Sequence, residues 1–222
     1  MSDSPPTRPP RAPIRSGFLL SFRYATTGLL HSLATDRNLK IHWTSGLMVA
    51  FVGMALPLDL TSRAALIFSV MLVIFAEILN TALESFVDLH IHQYHRHAMI
   101  AKDAAAAGVL ILALAVVAVF IDILIANWST VTASGPAIRR SLLFGLPATA
   151  LLITLLAAPL PRWTRAILGT AILGLLVPLV GHSQNHVFSG MALFFATIAS
   201  WARLRFYGDG RDEPFDEPEK SP

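Results

Sequence analysis

Long apolar runs alternate with short polar segments along this chain, a pattern typical of proteins that cross a membrane several times. The runs cover residues 41–58, 64–89, 104–128, 141–160, 166–181 and 187–202. A helix needs about 20 mostly apolar residues to span the hydrocarbon core of a bilayer. The last two runs are short by that measure, but flanking Arg, Trp and His side chains can reach the interfaces. The pattern predicts an all-α polytopic membrane protein with six spans.

A shorter amphipathic segment precedes the first run. Its apolar residues recur at helical spacing, at Phe18, Phe22, Ala25, Leu29 and Leu33. This spacing predicts a helix that lies in the membrane interface. Outside the helical region, residues 1–14 are rich in proline and residues 207–222 are acidic, so both are predicted to be disordered tails. Residues 129–138 are small and polar and are predicted to form a linker.

Composition supports the membrane prediction and excludes several kinds of site. The chain is 54% hydrophobic and 14% charged, with a mean hydropathy of +0.59, values that no ordinary soluble domain of this size shows. The net charge of +3 does not indicate nucleic-acid binding, because the basic residues are spread over short loops. The absence of cysteine excludes disulfides, thiolate metal sites and cysteine nucleophiles. No signal peptide is predicted, since the first apolar run, Phe18 to Leu20, is too short.

Lysine and arginine positions predict the orientation of the spans. With six spans and a cytoplasmic amino terminus, fourteen of these residues fall on the cytoplasmic side. Only Arg63, Arg139 and Arg140 fall on the outer side. Because basic residues concentrate in cytoplasmic loops, both termini are predicted to be cytoplasmic.

One face of the second span carries a stripe of polar residues. Glu77, Asn80, Glu84 and Asp88 stand at positions i, i+3, i+7 and i+11 of a helix. A charge at the bilayer centre costs roughly 2.5–3.5 kcal/mol on insertion scales, so such residues usually face a cavity, a metal or a partner. A single carboxylate here is also explained as a snorkelling or interhelical hydrogen-bonding group. Three carboxylates and an Asn, with a Lys-Asp pair at the foot of the next span, predict a site for a divalent metal and a phosphate.

Two other segments lie near this stripe in the predicted topology. Asp36 precedes the first span, where an Asp serves either as a helix N-cap or as a ligand. The loop from His90 to Ile100 contains His90, His92, His95 and His97. Four histidines suggest a zinc site, but such a site needs convergent ligands on an ordered frame, which this loop does not imply. Contact with phosphate is the favoured interpretation.

Three segments together resemble the signature of the small integral-membrane diacylglycerol kinase and undecaprenol kinase family of prokaryotes. They are Glu77-Ile-Leu-Asn80-Thr-Ala-Leu-Glu84, Val87-Asp88 and Ala101-Lys102-Asp103. Upstream, the segments Ser21-Phe-Arg-Tyr24-Ala-Thr-Thr-Gly28 and Thr35-Asp36-Arg-Asn38-Leu-Lys40-Ile-His42 are similar to that family's amino-terminal segments. The resemblance covers about residues 16–126 and implies a kinase-like membrane domain over residues 15–128.

This resemblance implies ATP-dependent phosphorylation of diacylglycerol or undecaprenol at the cytoplasmic face of the inner membrane. It implies that Glu77 is the general base and that Asp36 and Glu84 hold Mg²⁺, although the family has a glutamate where this chain has Asp36. The ATP-binding residues that it implies are Tyr24, Asp36, Asn80, Glu84, Asp88, Gln93, Tyr94, His95, Lys102 and Asp103. It also implies a homotrimer whose sites combine residues of neighbouring subunits.

Residues 139–206 lie beyond the resemblance and are predicted to form a C-terminal membrane domain. The segment from Gly181 to Ala192 is faintly similar to the Ser-Gly-His segment of type-2 phosphatidic acid phosphatases, with Met191 where that histidine would stand. Such a phosphatase needs a histidine nucleophile and a second histidine as acid or base. His182 and His186 either take those roles or, the favoured interpretation, cap a helix at the interface. A non-catalytic kinase scaffold that binds a lipid or a partner is the remaining alternative.

Overall fold

The computed structural model describes residues 17–91, 93 and 95–206, and in this part of the chain all regular secondary structure is α-helical. The helices are α1 (Phe18–Thr35), α2 (Arg37–Ala55), α3 (Leu60–His90), α4 (Arg96–Ala126), α5 (Trp128–Ala133), α6 (Gly135–Ala157), α7 (Arg162–Gly181) and α8 (His186–Phe206). The predicted all-α membrane architecture is confirmed. The predicted tails, residues 1–14 and 207–222, lie outside the described residues.

Aspartates cap two of the helices. The Asp36 Oδ1 atom accepts hydrogen bonds from the backbone N–H groups of Asn38 at 2.7 Å and Leu39 at 3.1 Å, at the start of α2. The Asp59 Oδ1 atom accepts one from the backbone N–H of Ser62 at 3.0 Å, at the start of α3. These bonds satisfy N–H groups that have no partner within the helix. Hydrogen bonding from Ser62 lowers the pKa of Asp59 below its ordinary value.

Helix α1 has one exposed half and one docked half. Phe18 and Phe22 of the predicted apolar stripe are exposed, whereas Leu33, further along the same stripe, is buried. Near the end of α1, the His31 ring meets the Phe206 ring of α8 edge-to-face with centroids 5.6 Å apart. The exposed apolar half is what the predicted interfacial helix requires, because its partner would be the membrane surface.

Five of the described helices are long and apolar enough to cross a membrane, namely α3, α4, α6, α7 and α8. Helix α2, which matches the predicted first span, is not among them. The reason lies in its first half, where Arg37, Asn38, Lys40 and His42 lower the mean hydropathy. The two C-terminal helices hold 20 and 21 residues, longer than the apolar runs seen in the sequence.

Helix α2 nevertheless extends over nearly the whole length of α8. Near the start of α2, the Trp43 indole Nε1–H donates to the Phe195 backbone carbonyl at 2.9 Å. Just past its end, the Asn185 side chain at the start of α8 donates to the carbonyl of Leu56. The two helices are therefore antiparallel and extend between the same two levels of the molecule. Other helices pack against one face of the first half of α2, where Leu39 and Trp43 are buried, whereas Arg37 and Asn38 stay exposed.

Glycines allow α2 to approach α6 and α8 closely. A Cβ atom placed on Gly46 would lie 2.7 Å from the Phe195 ring, and one on Gly53 would lie 2.4 Å from the Phe188 ring. Small residues permit such approach between membrane helices, where van der Waals packing provides much of the stabilisation. The C-terminal helices α6 and α8 therefore pack directly against α2.

Buried arginines join the C-terminal helices at one end of this bundle. The Arg203 Nε atom donates to the Leu155 carbonyl at 2.8 Å, and its Nη2 atom donates to the Ala158 carbonyl at 2.7 Å. The Arg165 guanidinium donates to the carbonyl of Arg203. Both arginines were counted among the cytoplasmic residues in the topology prediction, and both side chains are buried.

Helices α3 and α4 form an antiparallel pair at the side of the bundle. Only Val109 and Ile123 of α4 are buried, and most of its apolar side chains are exposed. The segment predicted as a linker, residues 129–138, is mostly helical, since it comprises most of α5 and the start of α6. The predicted domain boundaries stay a prediction.

Candidate functional site

The polar stripe of α3 passes from the interior of the protein to its surface. Glu77 is 1% exposed and Asn80 is 4% exposed, whereas Glu84 is half-buried and Asp88 is exposed. Glu77 is about 20 Å from the end of α3, because an α-helix rises about 1.5 Å per residue. The stripe thus runs from the C-terminal end of α3 to the buried carboxylate of Glu77.

Asp36 joins this stripe from the start of α2. Its Oδ2 atom accepts a hydrogen bond from the Thr81 hydroxyl of α3, while its Oδ1 atom caps α2. The Thr81 oxygen also lies 3.0 Å from the Glu77 carbonyl, so its single proton is shared between two acceptors. The sequence left two interpretations of Asp36, N-cap or ligand, and one carboxylate oxygen already serves as the cap.

Two oxygen atoms at the buried end of the stripe accept no hydrogen bond from any described residue. The Asn80 Nδ2 atom donates to the Glu84 Oε1 atom at 3.0 Å, which fixes the orientation of the amide. The Asn80 Oδ1 and Glu77 Oε1 atoms are buried without a partner in the described part of the chain. Leaving a buried polar atom unsatisfied costs about 1–3 kcal/mol, and more for a charged group. The pair of oxygens is therefore suited to a ligand that supplies a proton or a cation.

A salt bridge connects the surface end of the stripe to α4. The Lys102 ammonium lies 2.9 Å from Asp88 Oδ1 and 3.0 Å from Asp88 Oδ2. The side chains of Lys102 and Asp88 are 32% and 66% exposed, so the pair contributes little to stability. The positive charge of Lys102 also acts on Glu84. The salt bridge therefore positions a cation beside the outermost carboxylates.

Several of the predicted nucleotide-binding residues are exposed and form no hydrogen bond with the buried carboxylates in the described part of the chain. Tyr24 is exposed on α1, with the Arg23 guanidinium 5.9 Å from its ring centroid. Gln93 and His95 are exposed between α3 and α4, and Asp103 is exposed on α4. No hydrogen bond between described residues joins these side chains to Glu77 or Glu84. Tyr94, also predicted at the nucleotide, lies outside the described residues.

The structure brings in two residues that the sequence analysis did not select. Thr81 bonds Asp36, and the Asn38 side chain lies close to the Glu77 carboxylate. Thr81 is four residues after Glu77 on α3, so helical spacing was a signal for it. Asn38 had no comparable signal, because its position depends on how α2 packs against α3.

The residues present fit a magnesium ion that is shared with a phosphate ligand. Mg²⁺ prefers oxygen ligands and is commonly held by one or two carboxylates together with substrate phosphates. Among the described residues, no group of three or more His, Asp or Glu side chains is arranged to hold a metal by itself. Asp36 and Glu84 both act electrostatically on Glu77, which puts the three carboxylates in one neighbourhood.

The histidines of both loops are exposed wherever they are described. His90 Nδ1 lies 2.8 Å from the Phe86 carbonyl, and the rings of His95 and His97 are 5.6 Å apart. His92 lies outside the described residues. At the other end of the molecule, His182 Nδ1 lies 3.0 Å from the Pro178 carbonyl, and His186 begins α8.

The fold and the site together define a class: a multi-pass helical membrane protein with carboxylates and an amide clustered on one span. A family profile described as prokaryotic diacylglycerol kinase matches residues 23–124, which include every candidate site residue. Two curated relatives at least 30% identical to this chain are matched over more than two thirds of their own length. The chain belongs to the prokaryotic diacylglycerol kinase family.

Three curated relatives illustrate this similarity. A diacylglycerol kinase of Synechocystis is 45% identical over 107 residues, which are 48% of this chain and 61% of that protein. An undecaprenol kinase of Bacillus subtilis is 32% identical over 43% of this chain and 78% of its own length. A diacylglycerol kinase of Escherichia coli K12 is 34% identical over 48% of this chain and 84% of its own length. No solved structure matches the chain.

Proposed function

We propose that this protein is an ATP-dependent lipid kinase that phosphorylates the hydroxyl group of diacylglycerol, undecaprenol or a similar long-chain alcohol. The observation that carries the proposal is the buried Glu77 carboxylate, whose Oε1 atom has no partner in the described part of the chain. A carboxylate in this state can accept the proton of an alcohol. The names of the relatives support both candidate lipids.

The transfer forms a bond between the lipid oxygen and the γ-phosphorus of ATP and breaks the bond from that phosphorus to ADP. Glu77 Oε1 takes the proton that the lipid hydroxyl loses. General base catalysis of this kind contributes typically 10²–10⁴-fold in rate. Asn80 orients Glu84 through its amide N–H, and its own Oδ1 atom is available to the substrate hydroxyl or to a metal ligand.

Asp36 and Glu84 are the proposed ligands of Mg²⁺. These two residues would hold the ion, which would supply positive charge to offset the charge that develops on the phosphates during transfer. Thr81 holds Asp36 against α3, and Asn80 holds Glu84, so both carboxylates are positioned by a neighbouring side chain. Lys102 supplies a positive charge for the phosphates at the surface end of the stripe.

The proposed orientation places this site on the cytoplasmic side of the bacterial inner membrane, where ATP is available. The start of α2, the end of α3, the start of α7 and the end of α8 lie at one end of the molecule, as the contacts of Asp36 and Arg203 require. Lys40, Lys102 and Arg162 belong to the same end. Basic residues at this end favour a cytoplasmic location.

A homotrimer is part of the proposal. Leu110, Ile111 and Leu114 of α4 are more than half exposed, and either lipid or a neighbouring subunit can cover them. Tyr24 and Gln93 are exposed, which is compatible with a nucleotide site completed by another subunit. Mass measurement of the purified protein in detergent tests this stoichiometry.

The deciding experiment is transfer of labelled phosphate from Mg·ATP by the purified protein in mixed micelles, with diacylglycerol and undecaprenol offered side by side. We expect one of the two lipids to be labelled. The matched control is Asp122→Asn, which removes an exposed carboxylate near the far end of α4 and should leave transfer unchanged. Labelling of neither lipid, with no binding of Mg·ATP, would favour the non-catalytic scaffold. Lipid dephosphorylation without ATP would favour the phosphatase.

A further inference from the structure

A groove lies between the first half of α2 and the last turns of α6. Its volume is about 530 Å³, within the range of about 300–1,000 Å³ that is usual for ligand sites. Arg37 and Lys40 line one side, and Ile153 and Leu156 line the other. None of the candidate kinase residues lines this groove, and α6 lies outside the part of the chain that matches the kinase family.

The α2 side of the groove is positively charged. Among the described residues, neither Arg37 nor Lys40 forms a salt bridge. The buried Arg203 is close enough to Lys40 for the two positive charges to repel each other, and Asp36 is the carboxylate whose charge also acts on Lys40. Arg37 is exposed and Lys40 is half-buried. An anion between them would offset this positive charge, and phosphate oxygens accept hydrogen bonds from both Arg and Lys.

The hydroxyl groups in the groove already donate their hydrogen bonds within α2, so the remaining donors are Arg37 and Lys40. The Thr44 hydroxyl donates to the Lys40 carbonyl at 2.8 Å, and the Ser45 hydroxyl donates to the Ile41 carbonyl at 3.0 Å. With their protons used inside α2, the two hydroxyls can only accept further bonds. Arg37 and Lys40 are therefore the donors that an anionic group would meet.

The other side of the groove is apolar, and its rim is exposed. Ile41 is 53% exposed and Ile153 is 51% exposed, at the rim on either side. Leu156 is buried at the back of the groove. An acyl chain can lie along this surface, whereas a nucleotide or a free phosphate gains nothing from it. The groove thus combines an anion-binding end with an acyl-binding wall.

We propose that this groove binds one anionic glycerophospholipid, with its phosphate at Arg37 and Lys40 and an acyl chain along Ile153 and Leu156. The occupant is a membrane phospholipid and not the substrate alcohol, because a neutral hydroxyl does not compensate two cations. The bound lipid joins the start of α2, which carries Asp36, to the C-terminal helices. The proposal is independent of the kinase activity, since none of its residues belongs to the kinase site.

The test is native mass spectrometry of the full chain in detergent, titrated with phosphatidylglycerol or phosphatidylcholine. We expect one phosphatidylglycerol molecule to bind preferentially, and the double variant Arg37→Gln/Lys40→Gln to weaken that binding about tenfold, because each basic residue near a lipid surface contributes to anion attraction. The matched control is Arg139→Gln/Arg140→Gln, which removes the same charge from the opposite end of α6 and should leave binding unchanged.

A second variant tests the apolar wall without changing charge. Ile153→Trp fills the groove from its exposed rim and should also weaken phosphatidylglycerol binding, and thermal unfolding would verify that each variant is folded. Inorganic phosphate should not compete, because it lacks an acyl chain. Equal binding of both phospholipids, equal losses in the Arg139/Arg140 control, or full competition by phosphate would each overturn the proposal.

Discussion

Buried polar groups occur in two regions of this protein, and they differ in how their hydrogen bonds are used. Around α2, the side chains of Asn185 and Arg203 donate to backbone carbonyls of neighbouring helices. On α3, the buried Glu77 and Asn80 each keep an oxygen that accepts no bond from a described residue. Donation to a carbonyl of another helix joins helices in a membrane bundle, whereas a buried carboxylate without a donor indicates a ligand. Ser189 of α8 also has a buried hydroxyl with no partner among the described residues, so a missing partner by itself does not mark a site. Burial alone would not separate the two roles.

The largest effect is expected from Glu77→Gln. The amide has nearly the same shape but cannot take the proton of the substrate hydroxyl, so transfer should fall at least about 100-fold. Stability should not decrease, because the change removes a buried charge. Initial rates of lipid phosphorylation and thermal unfolding of the same preparation measure both quantities. Full activity in this variant would show that Glu77 is not the general base.

The next effect concerns the α2 interface and should appear in stability. Gly53→Ala places a Cβ atom 2.4 Å from the Phe188 ring, and overpacking of this kind typically costs about 1–3 kcal/mol. Gly174→Ala is the matched control, because nothing lies within 4 Å of the added atom. Thermal unfolding in detergent should show a loss for the first variant only. Equal melting temperatures would mean that α2 and α8 are not packed closely.

A smaller effect is expected from Thr81→Val, which removes the hydroxyl that donates to Asp36. A hydrogen bond to a charged group contributes about 1.5–3 kcal/mol, so the KM for Mg·ATP should rise about tenfold while kcat changes less. Thr81→Ser keeps the donor and should restore the KM. A purely structural role for Thr81 would instead lower stability without this selective change in KM.

The smallest effect is expected at the cap of α3. The pKa of Asp59 is lower in the folded protein than its ordinary value, because Ser62 donates hydrogen bonds to it. Its contribution to stability is therefore complete above the unfolded pKa of about 4 and is lost as pH falls through the folded pKa. The difference in melting temperature between wild type and Asp59→Ala should shrink between pH 7 and pH 3. A constant difference would exclude the charged carboxylate as its source.

Much of the fold follows from local pattern, because length and apolar periodicity predict helices without knowledge of their partners. Helix α1 and the polar stripe from Glu77 to Asp88 were recognised this way. Contacts between distant segments of the chain were not recognised from the sequence. Arg165 and Arg203 resemble ordinary cytoplasmic loop charges in the sequence, and only the packing of α6, α7 and α8 shows that they are buried.

The candidate site shows the same division between local and long-range signals. The carboxylates of α3 stand out because charge inside an apolar run is rare. Asn38 does not stand out, since polar residues at a helix start are common, whereas the helical spacing of Thr81 from Glu77 was a signal that was not used. The groove at Arg37 and Lys40 had no sequence signal either, because its apolar wall comes from α6, more than one hundred residues further along the chain.

The packing of α2 against α8 has a consequence for the order of events during synthesis. Trp43 receives its partner, Phe195, only after 152 further residues have been translated. At about 5–20 residues per second, that interval lasts about 8–30 s. During this time α2, a helix of modest hydropathy, lacks its packing partner α8. The nascent chain therefore depends on the translocon, or on reversible entry of α2 into the bilayer, until the last helix emerges from the ribosome.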